Sequence, residues 1–195
     1  GWTALMRAAR CGHLNIVTKL IEAKATVDQV DNNGWTALIY AAWNGHLDTV
    51  AKLIEAGATV NQAANKIRWT ALMLAARFGH LDIVAKLIEA KATVDQSNED
   101  GMTALMIAAQ NGHLDIIEIL VTENADHTLK SSDNKTAMDY AMTPDVSQHL
   151  QKCINDHQYG VLGELPAYQE LFKEIPVCPI SNMPISHLLC AKLNG

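Results

Sequence analysis

Eight histidines and four cysteines are the residues of this 195-residue chain with the widest chemical repertoire, so their spacing is the first test of what it can do. His13, His46, His80 and His113 each stand between a glycine and a leucine, at intervals of 33, 34 and 33 residues. Four copies of one repeat position cannot converge on a single catalytic centre, and the pattern predicts a structural role at a turn. Cys153, His157, Cys178, His187 and Cys190 come nearest to a zinc set, with 3, 20, 8 and 2 residues between successive members. That matches no familiar tetrahedral ligand spacing. The phosphate-loop and nucleophile-elbow motifs G-x-G-x-x-G, G-x-x-x-x-G-K-[ST] and G-x-S-x-G are missing from the sequence. The expectation is a non-enzymatic chain that uses no metal and no cofactor.

Recognition chemistry is better represented. The tryptophans are Trp2, Trp35, Trp43 and Trp69, one of the two phenylalanines is Phe78, and the arginines are Arg7, Arg10, Arg68 and Arg77. A large rigid ring or a planar charge offers much contact for few frozen rotamers, which is why Trp and Arg dominate binding hot spots. Trp2, Trp35 and Trp69 recur at repeat spacing, so duplication explains part of their pattern. Trp43 and Phe78 are not repeated.

The elements that carry these residues follow from self-similarity. Gly1-Trp-Thr-Ala-Leu-Met-Arg-Ala-Ala returns as Gly34-Trp-Thr-Ala-Leu-Ile-Tyr-Ala-Ala, Arg68-Trp-Thr-Ala-Leu-Met-Leu-Ala-Ala and Gly101-Met-Thr-Ala-Leu-Met-Ile-Ala-Ala. The threonines stand at 3, 36, 70, 103 and 136, a period of 33 with one insertion near 63–65. Threonine suits a helix N-cap, and the glycine of each Gly-His-Leu suits the turn that ends that helix. Apolar sets such as Leu14, Val17, Leu20 and Ile21 then predict a second helix with one buried face. Polar links such as 28–34 read as turn fingers. Helices are predicted near 3–11 and 14–23 and at equivalent positions afterwards.

The period and the Thr-Ala-Leu-x-x-Ala lines resemble the ankyrin repeat family, whose signature is T-P-L-H-x-A. The resemblance implies an all-α solenoid of helix-turn-helix units with β-turn fingers, in units of about 1–33, 34–67, 68–100 and 101–133, with a capping unit at 134–153. Ala replaces the usual Pro at 4, 37, 71, 104 and 137, and Met or Ile replaces the usual His at 6, 39, 73 and 106. Packing is expected to replace the inter-unit hydrogen bonds of that missing His. Thr143, Pro144, Val146, Leu150 and Cys153 predict a closing helix. The chain begins at Gly1 and its first unit lacks a finger, so it reads as a fragment of a longer array.

The resemblance also implies a concave face, lined by finger tips and first helices. Carried over by register, that face holds Trp2, Trp35, Trp69 and Met102 at the finger bases. At the helix ends it holds Arg10 with Cys11, Trp43 with Asn44, Arg77 with Phe78, and Gln110 with Asn111. The expected function is a scaffold or adaptor that binds another protein or peptide through Trp35, Trp43, Trp69 and Phe78, with Arg68 and Arg77 pairing acidic groups. A second reading is a methyl-lysine reader, since 34–41 is similar to the tryptophan-cage stretch in ankyrin domains of histone lysine methyltransferases. Arg68 and Arg77 would repel such a cation. A third is the substrate-recognition part of a ubiquitin-ligase adaptor, from a faint likeness around Leu165-Pro166.

Composition narrows the setting. With 15 basic and 21 acidic residues the net charge is −6 and the pI near 5.7, which argues against a phosphate-tracking nucleic-acid binder. The charge is graded, net +2 over 1–97 and −6 over 98–134. No apolar run approaches the roughly 20 residues of a membrane span. Four cysteines without a CxxC suit a reducing compartment, cytosol or nucleus, and a monomer is expected. Beyond about residue 154 lies a proline-bearing tail, in which Tyr168, Leu171, Phe172 and Ile175 predict a short amphipathic helix that closes the stack or docks a partner.

Overall fold

Residues 1–64 and 67–163 are described by a computed structural model. Among them run ten helices: α1 (Ala4–Arg10), α2 (Leu14–Glu22), α3 (Ala37–Trp43), α4 (Leu47–Glu55), α5 (Ala71–Phe78), α6 (Leu81–Glu89), α7 (Ala104–Asn111), α8 (Leu114–Thr122), α9 (Ala137–Tyr140) and α10 (Pro144–Gly163). Thr3, Thr36, Thr70 and Thr103 adopt extended backbone, and each Oγ1 accepts from the N–H three residues on, at 3.2–3.4 Å. Those caps start the first helix of each unit, as the sequence predicts.

Gly12, Gly45, Gly79 and Gly112 end these helices with φ between 69° and 79°, a left-handed conformation that strongly favours glycine. At the first three, a second demand is visible. A Cβ at Gly12 would lie 2.5 Å from the His46 ring, one at Gly45 2.7 Å from His80, and one at Gly79 2.7 Å from His113. Each histidine thus packs on the glycine of the unit before it. Each Nε2 also meets a carbonyl there, Arg10 O at 3.0 Å, Trp43 O at 3.3 Å and Arg77 O at 3.0 Å. Met6, Ile39, Met73 and Met106 are fully buried, as packing in place of the missing histidine requires, and these bonds from a different repeat position add a polar tie between units. The Gly-His pair gives the turn and also ties each unit to its predecessor.

A second ladder joins the units beyond their outer helices. Asp28 accepts from the Thr59 N–H, Asn61 from Thr93 and Asp95 from Asp126, at 2.8–2.9 Å. Within residues 1–154, which pack as one compact unit, the inner helices α1, α3, α5 and α7 approach one another more closely than the outer helices do. Side-chain size explains it. The inner contacts are made across Ala8 and Ala9, Ala41 and Ala42, Ala75 and Ala76, Ala108 and Ala109, whereas Val50, Leu53, Ile83, Leu87, Ile117 and Leu120 fill the space toward the outer row.

Three fingers close with a hydrogen bond spanning five residues, Asp31 N–H to Trp35 O, Asn98 to Met102 and Ser131 to Lys135. The finger with the insertion closes one residue later, from Ala64 to Trp69. The fifth unit is abbreviated, with a four-residue α9, after which Thr143 caps α10 and Val146, Leu150 and Ile154 are buried. Val146 stands opposite Gly112 where the other units place a histidine. Helix α10 runs ten residues past 153, to Gly163, and no proline interrupts the chain between its first residue and that point. Chain from Asn155 onward belongs to a separate unit. The anticipated tail helix with Tyr168, Leu171, Phe172 and Ile175 lies outside the described residues, as do Cys178, His187 and Cys190. Among the described residues no group of three metal-binding side chains assembles, and no helix is long and apolar enough to cross a membrane.

Candidate functional site

Because every inner helix starts from an equivalent threonine, residues of equal register line up along the inner face. Arg10, Trp43, Arg77 and Gln110 form one such row at the last turn of α1, α3, α5 and α7. Phe78, on the neighbouring register with Cys11, Asn44 and Asn111, is 46% exposed, large for an apolar ring. Trp35, Trp43 and Trp69 are half-buried.

These side chains touch in sequence along the face. The Arg10 guanidinium lies 5.1 Å from the Trp2 ring centroid and 5.9 Å from that of Trp43. Trp43 is 6.4 Å from Phe78, and the Arg77 guanidinium lies 5.8 Å from Phe78 and 5.2 Å from Trp69. The result is a continuous line of rings and guanidinium groups across three units. Stacking an arginine on an aromatic face holds the planar cation in place while its N–H edge stays available.

Beside the first part of this line opens a groove of about 430 Å³, lined by Trp2, Arg10, Asn33, Trp35, Tyr40, Trp43 and Ile67. Its floor is fixed by Tyr40, whose ring is 4.6 Å from Trp2 and 5.1 Å from Trp35, and whose hydroxyl donates to Asp31 Oδ2 at 2.7 Å. Asp31 also accepts from the N–H groups of Asn33 and Trp35 through Oδ1, which shapes the finger. Burial alone would push the Asp31 carboxyl up, but those three hydrogen bonds outweigh it and hold it below its ordinary value. Burial, together with the hydrogen bond to Asp31 and its negative charge, pushes the Tyr40 phenol well above its usual range.

The structure treats the candidate residues unequally. Trp35, Trp43, Phe78, Trp69 and Arg77 fall into the connected line. Arg68 is exposed and takes a left-handed conformation, φ 52°, where Gly34 and Gly101 stand in other fingers, and it has no ring contact among the described residues. Met102 is half-buried, and its N–H donates to Asn98 Oδ1 at 2.9 Å. Asn44 and Asn111 turn their Nδ2 back onto Tyr40 O and Ile107 O of their own helices, at 2.9 and 2.8 Å. Gln110 is exposed. Tyr40 and Asn33 were not among the expected residues. Tyr40 carries a sequence signal nonetheless, a tyrosine at the register where neighbouring units have Arg7, Leu74 and Ile107.

Comparison with known proteins agrees with this architecture. The family model described as "Ankyrin repeats (3 copies)" matches residues 1–64 and again 63–131. No curated protein matches the chain. With two-thirds of its length accounted for by that model, and with capped helix pairs, glycine turns and fingers at a 33-residue period, the chain belongs to the ankyrin repeat family.

Proposed function

We propose that the chain holds a segment of a partner polypeptide against the inner face of its first three units, with Trp35, Trp43, Trp69 and Phe78 as apolar anchors. Ankyrin repeats serve in general as protein–protein interaction modules. The observation that carries the finer reading is the connected line from Trp2 to Trp69, which leaves Phe78 and the arginine edges open to solvent. A scaffold or adaptor of this kind works as a monomer and suits a reducing cytosolic or nuclear setting, where the exposed Cys11 thiol persists. Met102, Gln110 and Asn111 form the rim at the fourth unit, and Asn44 borders Trp43 in the second. The methyl-lysine reading is less well supported, because Arg10 already lies over the Trp2 and Trp43 faces that a methylammonium would need. Recruitment of a ubiquitin ligase through the tail rests on residues outside the described part.

The test is affinity capture from the source cell with wild type beside a Trp43→Ala, Phe78→Ala double variant whose helicity is checked by circular dichroism. Truncating central aromatic anchors costs about 2 kcal/mol or more, roughly thirtyfold in affinity, so the folded variant should lose the specific partner. Retention of the same partners at the same strength would move the site off this face.

A further inference from the structure

The chemistry of the bound segment can be read from the two stacked arginines, granted the inner-face site just proposed. Arg10 and Arg77 occupy the same register two units apart, and each is held between two rings, Trp2 with Trp43 and Trp69 with Phe78. Among the described residues the ion pairs are Lys52 with Glu55 and Lys86 with Glu89, both on outer helices, so no described acidic side chain pairs with either guanidinium. A guanidinium whose faces rest on rings presents its N–H edge outward, in the fork geometry that fits a carboxylate. Between the two charges the surface is apolar, made by Trp43 and Phe78, 6.4 Å apart.

We infer that the occupant is an acidic peptide segment in extended conformation, with two carboxylate side chains about six residues apart on Arg10 and Arg77 and an apolar side chain between them on Trp43 and Phe78. The spacing follows from the stack. Packed helices lie about 8–10 Å apart, so α1 to α5 spans roughly 16–20 Å, and an extended chain rising about 3.3 Å per residue covers that in five or six residues. The register also sets a boundary. Past Arg77 the row continues with the uncharged Gln110, and residues 98–134 carry a net charge of −6, so an acidic segment is repelled beyond the third unit.

The probe is a set of fluorescein-labelled twelve-residue peptides of Ser and Gly bearing Leu at position 7, on the same strand face as positions 3 and 9. One carries Glu at those two positions, six apart, a second carries Gln at the same positions, and a third carries the two Glu side by side. Anisotropy titrations at low and physiological salt use the wild type, Arg10→Gln with Arg77→Gln, the charge-matched control Lys19→Gln with Lys24→Gln on α2 and the turn after it, and the Trp43→Ala, Phe78→Ala variant. The spaced-Glu peptide should bind at least about tenfold tighter than the Gln and adjacent-Glu peptides, and weaken with salt. The paired Arg variants should abolish that preference, and Lys19→Gln with Lys24→Gln should preserve it. Equal binding of the Glu and Gln peptides, or an acid preference that survives loss of both arginines, overturns the inference. If binding then still depends on Trp43 and Phe78, the inner-face site stands and only its acidic preference falls. Binding of none of the peptides below millimolar concentration overturns the inference as well, and the capture experiment decides the site separately.

Discussion

Gly79 and Gly112 occupy the same repeat position with nearly the same backbone, φ 75° and 74°, yet differ in what faces them. A Cβ at Gly79 would sit 2.7 Å from His113 Cε1, whereas one at Gly112 would meet Val146 Cγ2 at an ordinary 3.7 Å. Alanine at either site bears a left-handed penalty of about 1–2 kcal/mol, offset by about 0.4–1 kcal/mol from the stiffer unfolded chain, so Gly112→Ala should cost about 1 kcal/mol. Gly79→Ala must also displace the His113 ring. That adds about 1 kcal/mol for the Nε2 bond to Arg77 O and about 1–3 kcal/mol for overpacking, a total of roughly 3–5 kcal/mol. Urea unfolding followed by circular dichroism, with slopes compared to exclude a change of mechanism, measures both. In a His113→Ala background the cost of Gly79→Ala should fall to about that of Gly112→Ala. Equal costs for the two single variants would refute the claim that the Gly-His contact ties neighbouring units.

Leu87 is fully buried on α6, so Leu87→Ala should cost about 2–5 kcal/mol, and a loss below about 1 kcal/mol in the same assay would show that its face is misassigned. Because the folded-state pKa of Asp31 is lowered, its contribution is present above its ordinary value of 3.8 and is lost as pH falls through the folded pKa. The stability gap between wild type and Asp31→Asn should therefore shrink on acidification below that value, and a gap independent of pH from 6 to 2.5 would contradict the hydrogen-bond network drawn around the carboxylate.

The helix pairs were legible because their determinants are local: a threonine and the N–H three residues on, a glycine where φ must be positive, apolar residues at helical spacing. The tie between His46 and Gly12 was not, since it joins residues 34 apart and nothing in either local stretch names the partner. Register arithmetic did place Trp43, Arg77 and Phe78 on one surface. It could not tell Arg68 from Arg10, because a finger residue and a helix-end residue differ in reach and direction, and only the folded chain shows Arg10 lying over two rings. Asn44 and Asn111 are a further limit, polar residues at the expected face whose side chains each bond a carbonyl of their own helix.

The late closure of one finger, Ala64 to Trp69, has a bearing on how such a surface can change over time. The tie across that finger, His80 on Gly45, would meet a Cβ at 2.7 Å, as does His113 on Gly79 across a finger of ordinary length. An added residue has therefore been absorbed with the Gly-His contact kept between the helices it separates. Finger length and helix stacking behave as independent variables in this chain. Insertions or deletions at the fingers can consequently remodel the rim of the proposed binding surface while the spacing between Arg10 and Arg77 stays fixed, so the proposed ruler and the decoration around it are free to evolve, or to be engineered, one at a time.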